Sequence, residues 1–93
     1  MKVTAVIKRI KPVQILGTNN FKLQEIHVTT EEQYSQTLAI QFVQDSTKLL
    51  DNFKEGDKVT IDINLRGKEV IKEGQEPAVF NSINGWKIEK LES

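Results

Sequence analysis

The sequence predicts an all-β fold: a five-stranded Greek-key barrel with one short helix between strands three and four. Three observations carry this expectation. The stretch Lys58–Arg66 alternates Val59, Ile61, Ile63 and Leu65 with Lys58, Thr60, Asp62, Asn64 and Arg66, the period-two pattern of a half-buried strand. Helical spacing occurs once, over Asp45–Phe53, after three strand-like segments and before two more. The chain has 93 residues, 38% of them apolar, which suits one domain over 1–93 with an economical core.

Each element follows in order. Val3–Ile10 reads as the first strand, with Val3, Ala5 and Ile7 on one face and Val6 and Ile10 on the other. Pro12 cannot donate to a ladder, so pairing should loosen there. Gln14–Asn20 reads as a connection with Gly17-Thr18-Asn19-Asn20 as its tip. Phe21–Thr30 is the second strand. Phe21 and Leu23 share one parity and Ile26 and Val28 the other, a phase shift that predicts a β-bulge. Thr29–Gln33 forms a polar turn, and Gln36–Gln44 is the third strand, with Leu38, Ile40 and Phe42 on its apolar face.

Asp45 or Ser46 can cap the helix, whose Leu49, Leu50 and Phe53 face the core. Gly56-Asp57 stops it. The fourth strand, Lys58–Arg66, buries Val59, Ile61, Ile63 and Leu65, and Gly67 ends it. Gly67–Ala78 is a polar connection, and Val79–Leu91 is the fifth strand, with a kink or bulge at Asn84-Gly85. Three strands, a helix and two strands is the order of the OB-fold.

Composition narrows the chemistry. The absence of cysteine excludes disulfides, thiolate zinc sites and a cysteine nucleophile. No apolar run reaches the length of a membrane span, and Met1-Lys2-Val3-Thr4 enters a strand pattern directly, so a cytoplasmic protein without a membrane partner is expected. Net charge is zero, but residues 1–30 hold Lys2, Lys8, Arg9, Lys11 and Lys22 against Glu25 (+4), while residues 31–62 carry seven acids against three lysines (−4). A neutral chain can thus present one basic face. His27 is the single histidine, without a Ser, Cys or second His at a recognisable spacing, and the carboxylates are scattered. The chain therefore reads as non-enzymatic, with no cofactor and no metal.

Several motifs carry a family resemblance. Phe53-Lys54-Glu55-Gly56-Asp57-Lys58-Val59, then Leu65-Arg66-Gly67-Lys68, Gly74-Gln75 and the closing Trp86-Lys87-Ile88-Glu89-Lys90-Leu91, resemble the fourth and fifth strands of bacterial single-stranded-DNA-binding proteins. The chain is more closely similar to a family of small uncharacterised bacterial and phage proteins with that fold. The motifs are Ile10-Lys11-Pro12-Val13-Gln14, Thr29-Thr30-Glu31-Glu32-Gln33-Tyr34, Phe42-Val43-Gln44-Asp45, Asn64-Leu65-Arg66-Gly67-Lys68-Glu69 and Phe80-Asn81-Ser82-Ile83-Asn84-Gly85-Trp86. The resemblance implies an OB-fold and a single-stranded DNA or RNA partner, with a homo-oligomer, dimer or tetramer, by analogy. It departs at Val70-Ile71, where the DNA-binding proteins carry an aromatic, and at Leu91-Glu92-Ser93, where no acidic tail follows.

Single-stranded nucleic acid needs cations along a groove and flat rings for the bases. Lys8, Arg9, Lys11 and Lys22 bracket the connection between the first two strands, and Arg66 and Lys68 begin the one between the last two. These loops flank the groove in an OB-fold. Glu69, Glu73 and Glu76 oppose the second group, and the alternative for both is a solvated charged loop. Among the aromatics, Phe42 and Phe53 are assigned to the core and Phe21 and Tyr34 to stacking. Phe80 and Trp86 share a parity, so burial of at least one is expected, with Trp86 the third stacking candidate. The function expected is non-specific single-stranded nucleic-acid binding. The alternative is a protein-interaction or assembly module of the same fold.

Overall fold

The structure is a computed structural model that describes residues 1–91. Glu92 and Ser93, on which the expectation of no acidic tail rests, lie outside the described residues. Six strands form: β1 (Lys2–Ile10), β2 (Gln14–Leu16), β3 (Phe21–Thr30), β4 (Thr37–Val43), β5 (Lys58–Val70) and β6 (Ala78–Lys90), with a 3-10 helix, Gln44–Asn52, between β4 and β5. Five close into a ring, β1-β3-β4-β6-β5 and back to β1. The β4–β6 pairing is parallel and the others antiparallel. This is the OB-fold expected from the element order. The sixth strand, β2, is an addition. It pairs with β3 through Gln14↔Leu23 and Leu16↔Phe21, across the turn in which Gly17 has φ +71 and Asn20 φ +53.

The core lies where the inward faces meet. Ala5 and Ile7 of β1, Ile26 and Val28 of β3, Ile40 and Phe42 of β4, Val59, Ile61 and Ile63 of β5, and Ile88 of β6 are buried. Each large side chain there contributes about 1.5–3 kcal/mol of burial. The 3-10 helix adds Leu50 and is followed by the half-buried Phe53. Leu49, expected beside them, is exposed. Neither Asp45 nor Ser46 caps the helix. Val43 stands extended before its start without a side-chain cap, and Thr47 Oγ1 donates to Gln44 O at 2.8 Å.

The phase shift in β3 is not a bulge. Its register against β4 runs unbroken from Leu23↔Val43 to Thr29↔Thr37. The inward position at that end is taken by Gln24, only 9% exposed, whose Nε2 donates to Lys11 O at 3.0 Å. A polar residue filling an inward slot made the pattern look shifted. The bulges lie elsewhere. In β1 the register against β3 slips between Ile7 and Arg9, leaving Lys8 over. In β6 Asp62 pairs with Lys87 and Ile63 with Gly85, leaving Trp86 over, beside the expected kink. Extra residues bend strands, and bent strands close a small barrel.

Gly67 does not end the fourth strand of the ring. β5 continues to Val70, paired residue by residue with β6 through Val70↔Ala78, and the connection shrinks to Ile71–Pro77. The outer halves of β5 and β6 form a two-stranded arm that helps stretch the molecule to 53 × 35 × 19 Å. Leu65, expected in the core, lies at the root of this arm and is 63% exposed. Its parity continues the core face, but the barrel has ended beneath it.

Two contacts fix the closure. Gly56 (φ +94) turns the chain after the helix. Gly56 N donates to Ile7 O at 2.8 Å and Ile7 N donates to Asp57 O at 2.9 Å. The nearly buried Asp57 carboxylate accepts Lys54 N–H at 3.0 Å and faces Lys90 Nζ at 3.6 Å. On β6, a Cβ placed on Gly85 would stand 2.4 Å from Phe42 Cζ, so the ring of the fully buried Phe42 lies against bare backbone.

Two stability changes follow from this packing. Gly85→Ala should cost about 1–3 kcal/mol, as overpacking does, and Phe42→Leu in the same chain should restore part of it, measured by urea unfolding. Asp57→Ala should cost about 1–3 kcal/mol by leaving the Lys54 amide without its acceptor, read as a lowered midpoint with the denaturant slope unchanged.

Candidate nucleic-acid interface

Register sorts the predicted residues by face. Directly paired residues share a face of a sheet. Glu25 pairs with Gln41, Gln41 with Asn84 and Asn84 with Asn64. These four therefore lie on one outer row. Moving along the strands in steps of two adds Phe21, Leu23 and His27 from β3, Thr37 and Ala39 from β4, Ser82 and Phe80 from β6, and Arg66 and Lys68 from β5. Arg9 joins by pairing with His27, and Lys11 by its contact with Glu25. One outer face thus runs from the β2–β3 hairpin, which carries Phe21, across β3, β4 and β6 onto the arm.

The face collects five of the nine predicted residues: Arg9, Lys11, Phe21, Arg66 and Lys68. It leaves out Lys22, which pairs with Ile15 and takes the parity of the inward Gln24. Lys8 is the exposed bulge residue of β1. Tyr34 is 76% exposed, but it stands in the turn between β3 and β4, off the face. Trp86, the bulge residue of β6, is 52% exposed and lies at the margin of the face. Burial of Phe80 or Trp86 was expected. Neither is buried, and Phe80 is 63% exposed. Phe80 pairs directly with Lys68, so an aromatic and a basic side chain leave the same face of the arm. Its signal in the sequence was masked because β5 was expected to stop at Gly67, which hid the pairing. The same extension puts Glu69 opposite Val79, on the other side of the arm from Lys68.

Arg9 and Lys11 are held in a network. Arg9 Nη1 stands 2.7 Å from His27 Nδ1, His27 Nε2 lies 3.0 Å from Glu25 Oε2, and Lys11 Nζ lies 3.3 Å from the same oxygen. A guanidinium has only donors, so Nδ1 must accept, and the neutral imidazole carries its proton on Nε2 and donates it to Glu25. The ring is half-buried, and its partners fix its tautomer. A protonated His27 would present N–H at Nδ1 and could no longer accept from Arg9. Along β3, β4 and the arm, Glu25 is the acid on this face among the described residues. Its carboxyl is held below the usual range chiefly by the hydrogen bond from His27; burial opposes this, and Lys11 lowers it further.

Beside this face lies a cleft of about 590 Å3, where β4 and β6 part, lined in part by Leu38, Leu65, Arg66, Asn81 and Ile83. No group of three or more His, Cys, Asp or Glu that could hold a metal occurs among the described residues. Among them, no helix is long and apolar enough to cross a membrane.

The lowered Glu25 carboxyl has a direction in pH. A depressed folded-state value contributes stability that is present above the ordinary value of 4.5 and lost as pH falls through the folded one. The stability of the native chain relative to Glu25→Gln should therefore be present at neutral pH and shrink as pH drops below 4.5, measured by urea unfolding in stepped buffers.

Comparison with known proteins supports the fold. Two crystal forms of the mitochondrial single-stranded DNA binding protein Rim1 from S. cerevisiae superpose on the chain. One has a TM-score of 0.70 at 11% identity, over 98% of this chain and 92% of the other. The second has a TM-score of 0.68 at 14% identity, over the same shares. At such identities the likeness is one of fold. No curated protein matches the sequence. The family model for the domain of unknown function DUF3127 matches residues 2–89. The chain belongs to the DUF3127 family.

Proposed function

We propose that this protein binds single-stranded nucleic acid, DNA in the first instance, along the outer face of β3, β4, β6 and the arm, without catalysing a reaction. The observation that carries the reading is the pairing of exposed Phe80 with Lys68, on one face with Arg66, Arg9, Lys11 and Phe21. Phosphates need spaced cations and bases need rings, and both kinds of group lie there. Arg66 and Lys68 would carry phosphates on the arm. Arg9 and Lys11 would do so at the centre, where Glu25 and His27 hold them in place. Phe80 and Phe21 would stack on bases at the two ends. The fold shared with Rim1, named as a single-stranded DNA binding protein, supports the same reading. Lys8, Lys22, Tyr34 and Trp86 are peripheral in this arrangement.

A second reading draws on the opposite side of the arm. Leu65 and Val79 are each more than 60% exposed there, which suits an assembly module or a homo-oligomer. Light scattering tests it, and a strict monomer across concentrations counts against it.

The first reading is tested by fluorescence anisotropy with a labelled oligo-dT strand, and an oligo-rU strand separates DNA from RNA. Binding should weaken with salt, because phosphate contacts release counterions. Lys68→Ala should reduce the slope of log affinity against log salt by about 0.7. Phe80→Ala should weaken binding by about 1–3 kcal/mol at an unchanged slope. Affinity that ignores salt would sink the reading.

A further inference from the structure

The cleft beside the outer face has a construction that the nucleic-acid reading above does not use. β4 and β6 pair only at Ile40↔Ile83 and Gln41↔Asn84. Beyond Ile83 the arm carries β6 away from β4, and Thr37–Ala39 and Asn81–Ser82 face one another across a gap with no ladder between them. The opening, about 590 Å3, is within the range of small-ligand sites.

Three features describe what fits it. Its walls are apolar: Leu65 is exposed, and Leu38 and Ile83 are half-buried continuations of the core. Its rim is polar: Thr37 and Ser82 bring hydroxyls, Asn81 brings an amide, and the parted strands have backbone donors and acceptors not used between them. Gly67 opposite Asn81 leaves room for that amide, since a Cβ on Gly67 would stand 3.2 Å from Asn81 Oδ1. Arg66 belongs both to the cleft lining and to the outer face. A free anion would leave the apolar walls unused, and a purely apolar ligand would leave the amide and hydroxyls unpaired, which is costly. The complementary object combines apolar surface with hydrogen-bonding groups and is joined to a phosphate, the makeup of a nucleotide base on its backbone.

We infer that the cleft between β4 and β6 takes one nucleobase turned out of the bound strand, with Asn81 reading its edge and Arg66 on the adjoining phosphate, and that this gives the protein a base preference. The inference rests on the proposed nucleic-acid face. It adds direct readout by a side-chain amide to a surface otherwise indifferent to sequence.

The experiment is a set of anisotropy titrations of the full chain with labelled oligo-dA, oligo-dC, oligo-dT and a dT strand carrying spaced guanines, at one low salt concentration. The native chain should bind its best strand about tenfold or more tighter than its worst, the size of one good edge contact. Asn81→Ala should collapse that spread towards twofold while leaving the salt slope unchanged. Ala39→Leu, which narrows the cleft, should weaken the favoured strand alone. Both positions are exposed, and a thermal melt checks that the variants fold. Four strands bound within twofold by the native chain overturn the inference, as does a spread that survives Asn81→Ala, because it then comes from stacking or strand stiffness. Failure to bind any strand overturns the nucleic-acid reading itself.

Discussion

The closure of this barrel depends on the turn at Gly56-Asp57. Here the chain leaves the helix, enters β5 and must meet β1. Gly56 N–H and Asp57 O bond to Ile7 on both its polar atoms, so one residue of β1 is locked to the turn. The Asp57 carboxylate then holds the end of the helix segment through the Lys54 amide and faces Lys90 at the end of β6. Three elements that are distant in sequence converge on two residues. The buried Asp57 carboxylate accepts a charge-assisted hydrogen bond in a fixed geometry, which is worth more than an exposed surface ion pair. Below this point the inward alternation of β5 packs with Ala5, Ile7, Ile26 and Ile40 as one core.

Above it the same strands serve a different purpose. β5 and β6 pair beyond the barrel, so the arm inherits the alternation without the core that explained it. One side of the arm keeps apolar residues in the open, Leu65 and Val79. The other carries Arg66, Lys68 and Phe80. A two-stranded ribbon is marginal on its own, and this one is anchored at its base by the ladder through Gly85, which presses on Phe42. Stability and the candidate interface therefore meet at the bulge of β6: the residue before it packs inward and the bulge residue itself stays half in solvent.

Much of this was legible in the residues. Alternation in β5, the break at Pro12 and the single helical segment were enough for the ring and its order. The misreadings share a cause. Period-two reasoning treats polarity as a sign of direction, and Gln24 points inward while Leu65 and Phe80 are exposed. Gln24 Nε2 donates inside to the Lys11 carbonyl, a partner 13 positions away that no local window contains, while its buried Oε1 has no partner among the described residues. Leu65 keeps the core parity of its strand, and the end of the barrel is not written in the strand. Glycine at 67 signals a stop only if nothing pairs across it, and Asn81 does. The site residues fared in the same way: side-chain types pointed to cations and rings, but which of them share a face was decided by two bulges and one unexpected strand extension.

The bulge at Trp86 makes the chain its own reporter. It is the one indole in the sequence, 52% exposed, and it sits next to the glycine that supports Phe42. Excitation at the red edge of indole absorption selects that single position. Its emission is sensitive to two events: loosening of the Gly85–Phe42 contact beneath it, and a base or another chain covering it from outside. The first moves the ring towards water, the second removes it from water, so the two shift the spectrum in opposite directions. Unlabelled protein thus distinguishes a fold that is failing from a surface that is being occupied.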